Sequence, residues 1–67
     1  MIGNMSVGSK TRTLRKSKYM TLQDVSNITK LSIDTISRFE RNRSNYTINT
    51  ITQIAKALGV SVEELKK

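Results

Sequence analysis

Arg38, Arg41 and Arg43 fall in one short segment of the chain, and Lys10, Arg12, Arg15, Lys16 and Lys18 fall in another. Clustered guanidinium and ammonium groups hold anions, and a planar guanidinium matches a phosphate with two parallel hydrogen bonds. Across 67 residues, 12 Lys and Arg against 5 Asp and Glu leave a formal charge of +7. That balance favours a polyanion as partner, with nucleic acid weighed against the plain solubility of a small basic protein. The composition offers little other chemistry. There is no cysteine and no histidine, so a thiol nucleophile, an imidazole acid–base and an ordinary zinc set are all excluded. The few acids are scattered and form no paired-carboxylate pattern. The expectation is a non-enzyme with no metal and no cofactor.

These cations need a scaffold, and the chain has length for one small domain only. A core this thin usually needs a staple. Without cysteine, the options are very regular helix packing or a dimer. No segment approaches ~18 consecutive apolar residues, so no membrane span is expected. The opening MIGNMSVGSK lacks the apolar centre of a signal peptide. Together with the missing cysteines this fits a cytoplasmic location. Residues 1–5 read as a loose tail and 6–67 as the domain. Proline is absent, and there is no low-complexity tract or internal repeat.

Helix punctuation recurs along the domain. Ser6 can cap a first helix reaching about Lys18, with Val7 and Leu14 inward. Thr21 can cap a second, with Asp24 completing an acidic capping box; it presents Val25 and Ile28 and ends near Lys30. Ser32 can cap a third, with Leu31 before the cap and Ile36 inside forming a hydrophobic staple. Thr47 can cap a fourth that carries Ile48, Ile51, Ile54, Ala55 and Leu58 at helical spacing and stops at Gly59. Ser61 and Glu64 can open a short fifth holding Val62 and Leu65. Nothing alternates with period two. The fold class is all-α, a compact domain of five helices.

The connection between the second and third helices, Lys30 to Ser32, is too short for a relaxed antiparallel hairpin. It suits two helices crossing steeply, as in a helix-turn-helix, whose second helix projects toward the major groove. In LSIDTISRFERNR, Ile36 and Phe39 would face the core. Ile33, Asp34, Ser37 and Arg38 share the opposite face, because 33/37 and 34/38 are each four apart.

From about residue 7 to 65 the chain resembles the phage lambda repressor and Cro type of helix-turn-helix domain. The resemblance is carried by LRKSKYMT, where one helix ends and the next is capped, by LSIDTISRFERNR as recognition helix, and by TINTITQIAKALGVSVEEL as fourth and fifth helices. It implies that Ile33 and Asp34 read bases in the first turn, and that Ser37 and Arg38 reach bases or flanking phosphates one turn on. It implies an ion pair between Arg15 and Glu40 tying the first helix to the recognition helix. Arg41 and the Thr47 to Thr50 segment, including Asn49, match backbone-contacting positions, and a helix N-terminus suits phosphate there. With Arg15, Thr21, Gln23 and Arg43 these complete the expected phosphate contacts.

The chain departs from the family pattern in places. Leu22 stands where a glutamine commonly follows the second cap and holds a phosphate, and Gln23 comes one position later. Ser26 replaces a small alanine. Lys30 replaces the turn glycine and must adopt a left-handed conformation at roughly 1 kcal/mol. Thr11 and Thr29 replace inward aliphatics, thinning the core. Alternatives stay open for single residues. Ile33 is either a thymine-methyl contact or a surface apolar residue; Asp34 is either a cytosine N4 acceptor or a favourable charge at a helix N-terminus. Tyr19 and Tyr46 are expected to pack in loops rather than stack on bases; the basic run 10–18 is either a solvated helix face or one with one or two residues near phosphate, and Arg15–Glu40 is either a tie between helices or an exposed pair worth little. The function expected is that of a sequence-specific double-stranded DNA-binding regulator, a small prokaryotic or phage repressor acting as a homodimer on a two-fold operator. An antitoxin or other protein-interaction module with secondary DNA binding is the alternative.

Overall fold

The computed structural model describes residues 6–43 and 45–66, so the expected 1–5 tail lies outside the described residues. Five helices follow in order: α1 Val7–Ser17, α2 Leu22–Thr29, α3 Ile33–Glu40, α4 Ile48–Leu58 and α5 Val62–Lys66. No strand occurs among the described residues. Each of the four longer helices begins where a hydroxyl can satisfy a free N–H. Ser6, Thr21, Ser32 and Thr47 accept from the amides of Ser9, Asp24, Thr35 and Thr50 respectively. At Thr21 the box is reciprocal, because Asp24 Oδ2 accepts the Thr21 amide at 2.9 Å. Such caps contribute about 1 kcal/mol each. Gly59 ends α4 with φ +71, the left-handed stop expected of it.

α3 packs on both α1 and α2, α2 on α4, and α5 closes the far side against α1 and α4. The core gathers Phe39 from α3, Ile51, Ile54, Ala55 and Leu58 from α4, and Leu65 from α5. Val7, Leu14, Met20, Leu31, Val60 and Val62 pack around it, half-buried. Val25 and Ile36 are also fully buried, where the α2–α3 pair meets.

Two aliphatics expected inward are not there. Ile28 is 56% exposed and Ile48 is 69% exposed. On α2 the inward place beside Val25 is taken by Thr29, whose hydroxyl donates to Val25 O at 2.8 Å and accepts the Leu31 amide at 3.2 Å. On α1 the buried Thr11 likewise donates to Val7 O at 2.9 Å. A hydroxyl paired in this way is buried without an unmet polar group, so the threonines line the core as small side chains rather than voids. Among the described residues no buried side-chain nitrogen or oxygen lacks a partner.

Among the described residues, three other than glycine hold left-handed backbone: Tyr19 at φ +57, Lys30 at φ +68 and Asn42 at φ +57. Each follows a helix and reverses the chain. Lys30 is the tight corner between α2 and α3, and the Ser26 hydroxyl braces it by donating to Leu31 O at 2.6 Å. Tyr19, expected to pack, is instead 94% exposed at the α1–α2 turn. Tyr46 does pack, edge-on against Phe39 with ring centres 5.0 Å apart.

Candidate nucleic-acid interface

α3 divides into an inner and an outer face. Ile36, Phe39 and Glu40 are buried, while Ile33, Asp34 and Arg38 are exposed and Ser37 is half-buried. Ser32 caps the helix at the end that carries Ile33 and Asp34. Asp34 and Arg38 pair across one turn, Arg38 Nε lying 3.1 Å from Asp34 Oδ2, with both side chains more than half exposed. A pair so wet contributes little to stability, and a ligand can break it cheaply.

The C-terminal end of α3 is fastened to α1. Arg15 Nε and Nη2 donate to Glu40 Oε2 and Oε1 at 2.7 and 3.0 Å, and Nη1 donates to Met20 O at 2.8 Å. The side chains are only 10% and 4% exposed, so the pair is an interior fork rather than a solvated contact. These bonds commit the Arg15 guanidinium to the protein, which leaves it poorly suited to the phosphate contact expected of it. A second tie lies next to it: the Gly8 amide donates to Asn42 Oδ1 at 3.1 Å, and Asn42 Nδ2 donates to Ser6 Oγ at 2.7 Å. With its far end held, α3 presents its first turn outward.

The remaining candidates form groups around this helix. Arg12, Arg15, Leu22, Ser37, Glu40 and Arg41 line one open cavity of about 190 Å³ where α1, α2 and α3 meet. Thr21 and Gln23 stand exposed at the start of α2, where Gln23 Nε2 donates to Asn27 Oδ1 at 2.9 Å. Arg43 is exposed just beyond α3, its amide bonded to Arg38 O at 2.9 Å. Thr47 and Asn49 are exposed and Thr50 is half-buried in the first turn of α4, where the Thr47 hydroxyl is occupied as the cap. The sequence singled out neither Arg12 within its basic run nor Asn42. Arg12 was one cation in a run of many, and Asn42 bonds residues more than thirty positions away. Among the described residues no group of three or more acids could hold a metal ion, and no helix is long and apolar enough to cross a membrane.

This arrangement has close counterparts. A helix-turn-helix family model matches residues 12–65. The uncharacterized HTH-type transcriptional regulator y4dJ of Sinorhizobium fredii is 41% identical over 59 residues, covering 88% of this chain and 77% of that protein. The HTH-type transcriptional regulator DdrOP3 of Deinococcus deserti is 28% identical over 61 residues, and the matched region spans 47% of its length. Among solved structures, the restriction-modification controller protein C.AhdI of Aeromonas hydrophila superposes with a TM-score of 0.84 at 25% identity, over 88% of this chain and 89% of that one. The P22 c2 repressor, solved with a synthetic operator, superposes at 0.87 over 96% of this chain and 97% of that one; at 23% identity it speaks for the fold alone. The relatives at sequence level are transcriptional regulators, and the chain belongs to the helix-turn-helix family.

Proposed function

We propose that this protein is a sequence-specific double-stranded DNA-binding regulator of repressor type, without catalytic activity, acting as a homodimer on a two-fold operator. The observation that carries the reading is the division of α3. Its C-terminal end is buried and bonded to α1 through Glu40, while Ile33, Asp34, Ser37 and Arg38 stand on its outer side. A helix so held can enter a major groove without rearrangement. Ile33 offers apolar contact to a thymine methyl. Arg38 offers two donors to a guanine once it releases Asp34, and Asp34 an acceptor to a cytosine amine. Thr21, Gln23, Arg41, Arg43, Thr47, Asn49 and Thr50 serve the phosphates on either side, fixing register rather than sequence. The net charge of +7 supplies the long-range attraction.

The test is selection of bound sites from a random duplex library, followed by a salt titration on the selected site. The expected result is an inverted repeat with steep salt dependence, each neutralised phosphate contributing about −0.9 to the log–log slope. Absent binding, or affinity flat with salt, would refute the reading.

A further inference from the structure

α3 carries two carboxylates and one arginine. Glu40 is buried and accepts from two nitrogens of Arg15. Asp34 is left for Arg38, one turn on, whose Nε lies 3.1 Å from Asp34 Oδ2. Both side chains are more than half exposed, on the side of α3 away from the core. Their chemistry fits opposite base edges: a guanidinium donates to guanine O6 and N7, and a carboxylate accepts from cytosine N4. Each group therefore has two alternative partners, the other side chain or a base. The bridge lays both side chains along the helix, whereas reading a base requires each to extend off it into the groove. The contacts exchange rather than add. If Arg38 finds a guanine but Asp34 finds no cytosine, an unpaired carboxylate is left facing the negative charge of the duplex. If neither base is present, the bridge stays closed and neither group goes unmatched.

Resting on the DNA-binding reading, we propose that the Asp34–Arg38 bridge couples the reading of two base pairs in each half-site, one presenting guanine to Arg38 and the other cytosine to Asp34. The bridge opens once for both contacts. Changing one base removes its contact while the bridge remains open for the other. Changing the second as well costs less than it would alone, because the bridge then re-forms. Well-separated operator positions contribute nearly additively; these two do not, and the protein rather than the DNA is the source of the coupling.

The experiment first finds, on a panel of single-base changes to the selected duplex, the position whose preference Arg38→Ala flattens and the one that Asp34→Ala flattens. Four duplexes then carry, in one half-site, both preferred bases, either one alone, or neither. With the unmodified protein, the doubly changed duplex should bind roughly two- to fivefold better than the product of the single losses implies, which is the worth of one exposed bridge. The same four duplexes should show no such excess with Asp34→Ala or with Arg38→Ala, since either change removes the bridge. Thermal unfolding of both variants should match the parent, both side chains being exposed. Single losses that simply multiply in the unmodified protein would overturn the proposal. So would an excess that survives in either variant, since it would then arise in the DNA. Variants that flatten no position, or the same one, would overturn it too and leave the DNA-binding reading standing. A parent protein that binds no duplex would instead overturn that reading, and the coupling with it.

Discussion

The amide of Gly8 donates to Oδ1 of Asn42 at 3.1 Å, which joins the first turn of α1 to the residue just past the end of α3. The approach is close enough to forbid a side chain. A Cβ on Gly8 would stand 2.3 Å from Phe39 O and 2.7 Å from Glu40 O, both backbone atoms, and 2.7 Å from Asn42 Oδ1. Glycine here lets the positive N-terminus of α1 rest on the last carbonyls of α3, a favourable dipole arrangement. It is this contact, with the Arg15–Glu40 fork, that sets the angle at which α3 projects.

Gly8→Ala therefore has an inverted sign. Inside a helix this change ordinarily stabilises by close to 1 kcal/mol. Here it is expected to destabilise by about 1–3 kcal/mol, the usual cost of overpacking, because backbone carbonyls have to move. Urea unfolding reads it directly: a midpoint equal to or above the parent's would mean that the two helices separate without cost.

The Arg15–Glu40 fork predicts strong coupling. Removing one member leaves a buried charge unpaired, at a cost of about 3–5 kcal/mol. That is a large share of what a domain of this size has. Arg15→Ala should be the worse single change, since it also strips the donor from Met20 O. With Glu40→Ala and the double variant it completes a double-mutant cycle in denaturant. The double variant should be far more stable than the sum of the single losses implies, and simple additivity would remove the fork from the account of the fold.

How much of this could be read from the residues alone depends on how local the signal is. Ser6, Thr21, Ser32 and Thr47 were legible as helix starts because a cap and its bonded amide lie three positions apart. The outer face of α3 was legible because helical periodicity sorts 33, 34, 37 and 38 from 36 and 39. Periodicity gives the direction of an apolar stripe but not its width, and this misplaced Ile28 and Ile48. Position 29 lies four residues after Val25 and so shares its inward face, while Ile28 turns outward, and the Thr29 hydroxyl is satisfied within its own turn, which makes its burial tolerable. The Gly8–Asn42 tie and the cavity between Arg12 and Arg41 join segments that are far apart in the chain, so no spacing announces them. The left-handed Lys30 was expected only from the resemblance, because it stands where the family has its turn glycine, whereas Tyr19 and Asn42 had no comparable signal.

The two ends of the apolar stripe make a direct comparison. Leu65 is fully buried against the core from α5, and Ile48 is largely exposed at the start of α4. Leu65→Ala is expected to cost about 2–5 kcal/mol, the lost burial of its side chain adding to the cavity left behind. Ile48→Ala should stay within about 0.5 kcal/mol of the parent. Thermal unfolding of the two variants side by side checks this, and a large loss at Ile48 would reveal burial that a single chain does not provide, such as a subunit contact.

The outer face of α3 carries the most discriminating prediction. In the free protein Arg38 is held to Asp34 at 3.1 Å, both being solvent-exposed. An exposed pair of this kind is worth about 0.2–1 kcal/mol, while a bidentate arginine–guanine contact discriminates by ~1–3 kcal/mol. The balance favours transfer of Arg38 from Asp34 to DNA. Arg38→Ala should then flatten the preference at one base pair per half-site, and Ile33→Ala should flatten it at a position where thymine is favoured. Asp34→Ala should leave the Arg38-dependent preference in place, since the guanidinium no longer has a competitor. Arg41→Ala should weaken all sequences about equally, as expected of a phosphate contact. Binding of each variant to a panel of single-base operator changes separates these patterns. If Ile33→Ala and Arg38→Ala both keep the parental sequence preference, α3 is not the reading helix, whatever their effect on overall affinity.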